Sequence, residues 1–195
     1  MKFTLQHGLP DHLRKDAAGL YWLAFGGKLG PVLGPVDKAF ALLDLVMRED
    51  HVITALSENG ALMGLAGFKT PDGAFAGGGF ADLRQIYGAF GASWRAALLW
   101  LLERDVDNHR FLMDGICVSE AARGQGVGTA LLDAICDEGR RRGYPSVRLD
   151  VVDVNQRARA LYERQGFVAT RTSQIGILRW VFGFSAATTM VRPLM

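Results

Sequence analysis

Apolar and polar positions change their spacing several times along the chain, and each change marks an element. Residues 13–25 (LRKDAAGLYWLAF) repeat apolar side chains at helical intervals and predict a first helix. The Gly- and Pro-containing stretch GGKLGPVLGP at 26–35 predicts a loop, and 36–50 predicts a second helix. The period then shortens to two. HVITALSEN at 51–59 and LMGLAGFKT at 62–70 predict two strands joined through Asn59-Gly60, a pair suited to a tight hairpin turn. PDGAFAGGG at 71–79 predicts a loop, and 81–105 a helix broken near Gly88 and Gly91.

Beyond residue 110 strands and helices alternate. RFLMDGICV at 110–118 predicts a buried strand, and 126–142 predicts a helix with Val127, Ala130, Leu131, Ala134 and Ile135 on one face. Gly143 suits the position just past its end. SVRLDVVDV at 146–154 predicts a strand, and 155–165 a short helix capped by Asn155 and closed by Gly166. Residues 167–175 and 185–194 predict two further strands. The order implies an α/β (α+β) fold around a mixed sheet.

Composition narrows the function. A chain of 195 residues with 49% hydrophobic positions can bury a real core. Its net charge is only +2, and no basic stripe is interleaved with aromatics, so no nucleic-acid partner is expected. Arg140, Arg141 and Arg142 fall near a helix end, where cations suit the dipole. Cys117 and Cys136 are too few for a metal cage and are expected as reduced core residues; no metal is expected. No apolar run is long enough for a membrane span or a signal peptide, so a cytoplasmic protein is expected.

RGQGVGTALL at 123–132 places Gly124, Gly126 and Gly128 at the start of the fourth predicted helix. A helix N-terminus carries unpaired N–H groups and partial positive charge, and glycines there let an anion approach the backbone. A P-loop is excluded because no lysine precedes Thr129. A dinucleotide fingerprint also fails, since its third glycine would fall on Thr129 or Leu131. Asp150, 22 residues past Gly128, is where a ribose-binding acid would sit, but SEAAR separates the glycines from their strand.

Arg123, Gly126 and Gly128 fit R-x-x-G-x-G. With MDGICVSEAARGQGVGTALL around them, the chain resembles the GNAT superfamily of acyl-CoA-dependent N-acyltransferases. Asn155, Ala158, Leu161, Tyr162, Gly166 and Phe167 match a second family pattern, N-x-x-A-x-x-L-Y-x-x-x-G-F, and the clear match covers about 110–170. The resemblance implies one domain over 1–195, with acceptor-side helices and first strands at 1–109, an acetyl-CoA core at 110–170 and C-terminal strands at 171–195. It implies a mostly antiparallel central sheet of six to seven strands, flanked by helices, whose central pair splays. Acetyl-CoA would enter that opening. Its pantetheine arm would pair with backbone at Ile116, Cys117 and Val118, and its diphosphate would sit on the amides of Gly124, Gln125, Gly126, Val127, Gly128 and Thr129.

The same resemblance implies direct acetyl transfer to a neutral primary amine. Tyr162 would donate to the leaving sulfur, Asn155 would cap its helix and reach the pantetheine, and the Val118 amide would bind the developing oxyanion. Asp114, inside an apolar strand, and Asp150 both flank the opening, and either could accept the amine proton. Glu120 and Glu163 read as solvated charges. Trp22, Phe25 and Phe40 are read either as core or as lining for the acceptor. A small-molecule amine is the expected acceptor. A protein N-terminus of the ribosomal-protein type, or an acyl-CoA sensor without catalysis, remain the alternatives, and pairing with a second copy is left open.

Overall fold

The computed structural model describes residues 2–102 and 109–194. The chain runs β1 (Phe3–His7), α1 (Arg14–Leu33), α2 (Val36–Val46), β2 (Val52–Ser57), β3 (Leu62–Thr70), β4 (Gly73–Ala74), α3 (Phe80–Leu102), β5 (Phe111–Val118), α4 (Val127–Arg141), β6 (Ser146–Val152), α5 (Gln156–Arg164), β7 (Val168–Gln174), α6 (Arg179–Phe182) and β8 (Ala186–Pro193). Eight strands make one sheet in the order β1-β2-β3-β5-β6-β8-β7, with β4 paired to β3. Every pairing is antiparallel except β5 with β6, which is parallel. This is the mixed, mostly antiparallel sheet that the resemblance implies, with eight strands rather than six to seven because β1 and β4 were not predicted.

Helices cover both faces. On one, α4 turns Val127, Leu131, Leu132, Ile135 and Cys136 onto Ala66 and Phe68 of β3, Phe111 and Met113 of β5, and Val147, Leu149 and Val151 of β6. Tyr162 of α5 joins the same cluster. The opposite face carries α1, whose Ala17, Ala18 and Tyr21 pack on Val52, Leu65 and Phe75. Farther along, Val32 and Leu33 of α1 pack with Leu42 and Val46 of α2, Leu83 of α3 and Phe182 of α6. With both faces covered, β3 is apolar almost throughout rather than alternating.

The predicted loop at 26–35 is helical to Leu33. Burial of Val32 and Leu33 outweighs the poor propensity of the glycines and of Pro31. The second helix ends at Val46, short of the predicted 50. Helix α3 is kinked at Gly88 (φ 70°, ψ 173°), as predicted, but continues through Gly91; residues 103–105 of that prediction lie outside the described residues. Three elements escaped prediction, among them the two-residue strand β4 within the predicted loop at 71–79. Strand β1 is a largely exposed edge with no apolar period, and α6 is a single turn. Arg141 and Arg142 do more than suit a dipole, since both hydrogen-bond the buried Glu138 and tie down the end of α4. Among the described residues no helix is long and apolar enough to cross a membrane.

Strand β5 changes face partway along. Gly67 pairs with Gly115 but Phe68 pairs with Met113, so Asp114 is the extra residue of a β-bulge. Phe111 and Met113 therefore face α4, whereas Gly115 and Cys117 face α1. The first turn of α4 rests on β3 at Gly64. A Cβ there would meet the Cys117 carbonyl oxygen at 2.9 Å, Leu131 at 3.1 Å and Val127 at 3.2 Å. Gly64→Ala is expected to destabilise the fold by ~1–3 kcal/mol through overpacking, read as a lower urea midpoint; an unchanged midpoint would contradict this seating of α4.

Candidate active site

The parallel pair β5–β6 is joined only at Phe111↔Val147 and Leu112↔Arg148. Beyond those positions each strand keeps its outer partner. β5 pairs with β3 as far as Val118↔Gly64, and β6 pairs with β8 as far as Val152↔Ala187. They part from each other, leaving an opening inside the sheet. Ser119 N–H donates to the Met63 carbonyl at 2.8 Å. Peptide groups along an antiparallel strand alternate sides, so those of Cys117 point into β3 while those of Ile116 and Val118 face the opening. The edge available for pairing is thus formed by Ile116 and Val118, not by Cys117.

At the mouth of the opening the chain turns sharply into α4. Gly124 and Gly126 are left-handed (φ 79° and 82°), and a Cβ on either would meet nothing within 4 Å. Gly128 is needed for another reason: a Cβ there would lie 3.3 Å from Leu161 of α5 and 3.7 Å from Val118. The first helical bond runs from Ala130 N–H to the Gly126 carbonyl, at 3.0 Å. The N–H groups of Val127, Gly128 and Thr129 have no acceptor among the described residues. No side chain caps the helix, and no acid lies in its first turn. Fifteen residues of helix thus end in bare donors with partial positive charge, beside the exposed Arg123. Gln125 adds less, since its N–H donates to Ala122 at 3.4 Å and its Nε2 to Ala121 at 2.7 Å.

Tyr162 of α5 is buried, with its ring centroid 6.1 Å from that of Phe167. Burial, reinforced by neighbouring Cys117, pushes its phenol above the ordinary value, so it stays protonated. Asn155 caps α5 by accepting from Ala158 N–H at 3.1 Å, and Ala158 is half-buried against the core. Burial pushes the Cys117 thiol up to about 12, which leaves it protonated near neutrality. Both cysteines are buried and unpaired. No group of three metal-ligating side chains is found among the described residues.

The two carboxylates stand two residues beyond the last β5–β6 pair, one on each strand. Asp114 lies inside the apolar strand β5, as expected; it is the exposed residue of the bulge and accepts from Ala76 N–H at 3.4 Å. Asp150 is exposed and held twice, by Thr189 Oγ1 and by Arg148 Nη2 at 3.2 Å. Arg148 and Thr189 had not been singled out. The two-residue strand period places Arg148 on the same face as Asp150, a signal present in VRLDV. Phe25 lies on the α1 side against Gly115, whereas Trp22 and Phe40 pack on each other with centroids 6.2 Å apart. Glu163 pairs with Arg159 at 2.9 Å.

The model of the acetyltransferase (GNAT) family matches residues 20–167. Over 71 residues the chain is 38% identical to the probable N-acetyltransferase family 8 member 5 of Mus musculus, covering 36% of this chain and 31% of that protein. Over 82 residues it is 40% identical to the mycothiol acetyltransferase of Beutenbergia cavernae, covering 42% and 27%. The chain thus matches less than a third of the length of each of these curated relatives. A solved acetyltransferase structure has a TM-score of 0.65 at 20% identity, over 98% of this chain and all of that one; a likeness of that kind shows a shared fold.

The elevated Cys117 pKa has a direct consequence. At pH 8 only about one part in ten thousand would be thiolate, so iodoacetamide is expected to leave Cys117 unmodified in the folded protein and to alkylate it after denaturation. Rapid native labelling, read by peptide mass spectrometry, would contradict its placement.

Proposed function

The chain belongs to the acetyltransferase (GNAT) family, and on that premise we propose that it moves an acetyl group directly from acetyl-CoA to the primary amine of a small molecule. One observation carries this reading: the opening between β5 and β6 ends at the uncapped amino end of α4. The donor needs both features. Ile116 and Val118 offer unpaired peptide groups to the amides of the pantetheine arm, as an added strand would. The N–H groups of Val127, Gly128 and Thr129, with Arg123 and the open turn at Gly124 and Gly126, suit a diphosphate. Asn155, Ala158 and Tyr162 line the α5 side of the donor.

In the transfer step the amine lone pair attacks the thioester carbonyl carbon. A C–N bond forms, the C–S bond breaks, and negative charge passes through the carbonyl oxygen to sulfur. Val118 N–H, which faces the opening, would donate to that oxygen. Tyr162 hydrogen-bonds the departing sulfur. The burial that raises its pKa makes it a donor rather than a source of free protons. The proton leaving nitrogen passes through water to Asp114 or Asp150, and solvent returns it to the thiolate. Cys117, held protonated, takes no covalent part.

A small acceptor is supported by the position of α1. It lies across the face that carries both carboxylates, with Phe25 closing on Gly115. The name of the relative from Beutenbergia cavernae points the same way.

Incubation with acetyl-CoA and a panel of primary amines, following free thiol and product mass, tests the reading. Thiol release tied to an acetylated amine is expected; binding heat with no release from any amine would indicate a sensor. Tyr162→Phe should lower kcat roughly tenfold to a hundredfold by removing a charge-assisted hydrogen bond, with the acetyl-CoA Kd unchanged. An unaltered kcat would remove Tyr162 from the chemistry. Gly126→Val, which forces a β-branched residue into a left-handed position, should instead raise that Kd about tenfold by distorting the amide turn; an unchanged Kd would place the diphosphate elsewhere.

A further inference from the structure

Helix α1 crosses the sheet over the opening. Its early turns pack on Val52 of β2 and Leu65 of β3. Next comes Phe25, whose ring would lie 2.7 Å from a Cβ on Gly115 of β5. Its last turn, at Val32 and Leu33, shares a cluster with Val152 of β6 and Ala187 of β8. Residues 26–31 therefore pass above the stretch where β5 and β6 separate. The helical period puts Tyr21, Phe25, Lys28 and Val32 on one sheet-facing stripe. Three of these four are apolar or aromatic, and Lys28 is the exception.

Lys28 is half-buried, with its Nζ 5.2 Å from the centroid of the Phe25 ring. No acidic side chain pairs with it among the described residues. Burial accordingly lowers its pKa. A cation drawn partly out of water with no counter-charge is costly to the fold unless something else supplies the anion. Asp114 and Asp150 lie on the same side of the opening but at its strands, where they suit the amine end of an acceptor. The charges thus divide: carboxylates on the sheet, one ammonium on the helix above.

We propose that Lys28 determines acceptor specificity by pairing with a carboxylate, so that the acceptor is an amino-acid-like amine carrying both groups. This rests on the acetyl-transfer reading of the same opening. Placed between Phe25 and the gap, Lys28 anchors the acid end of the acceptor and leaves the amine over the thioester. An uncharged amine of the same shape lacks the anchor.

The test uses matched acceptors with and without the carboxylate, such as phenylalanine against phenethylamine and leucine against isoamylamine. The unmodified protein should favour the carboxylate member of each pair. Lys28→Met should raise the KM for that member roughly tenfold to a hundredfold, the scale of a lost charged hydrogen bond, leaving kcat and the acetyl-CoA KM unchanged; Lys28→Arg should retain the preference. An undiminished preference in Lys28→Met would overturn the assignment. A second measurement does not need turnover: labelling of Lys28 by the N-hydroxysuccinimide ester of acetic acid, read by peptide mass spectrometry with coenzyme A present. N-acetylphenylalanine should slow labelling and N-acetylphenethylamine should not; equal protection by both, or none, would overturn the proposal. Failure of the acetyl-transfer reading shows separately, as no thiol release from any amine.

Discussion

Two strands that start as hydrogen-bonded neighbours and then separate impose the central constraint on this molecule. A gap within a sheet exposes peptide groups that elsewhere pair along the ladder, and it survives only if both strands are held from outside. Here β3 holds β5 and β8 holds β6 for their remaining lengths. The gap is therefore a rigid slot rather than a frayed end. Its walls are backbone, which suits a ligand recognised through its amides more than through side-chain chemistry.

The second requirement is to aim a helix at the mouth of that slot. Gly64 and Gly128 set the approach, since both lie where an added methyl would press on neighbouring atoms. Leu131, Leu132 and Ile135 then hold α4 on the sheet with complete burial, each side chain contributing about 1.5–3 kcal/mol. At the far end Glu138 engages Arg141 and Arg142 and lies 3.4 Å from His7 of β1. A helix fixed along its length holds the N–H groups of Val127, Gly128 and Thr129 where they are. The ordering is accomplished in folding, so ligand binding need not supply it.

Local chemistry was legible in the residues. Asn59-Gly60 announced its hairpin, Gly88 its kink, and Asn155 the cap of α5. Gly124, Gly126 and Gly128 announced an unusual helix start, although their spacing did not reveal that two serve a left-handed turn and one a close contact. What stayed hidden depends on distant partners. GGKLGPVL reads as a loop until Leu42, Leu83 and Phe182 are there to bury Val32 and Leu33. The bulge at Asp114, which moves Gly115 and Cys117 to the α1 face, has no signature in the spacing of an apolar strand. The parting of β5 from β6 has no signature in spacing at all; the family resemblance alone anticipated it. Lys28 looked like a loop residue because the helix that places it was missed.

The central claim is that the slot and the first turn of α4 together grip the acyl donor. Amide chemical shifts followed by NMR while acetyl-CoA is titrated test it most directly. The account predicts that Val127, Gly128 and Thr129, with Ile116 and Val118, show the largest movements and saturate together, while amides of the exposed edge strand β7 stay still. Saturable binding that leaves those five amides unmoved, or no binding at all, would contradict it.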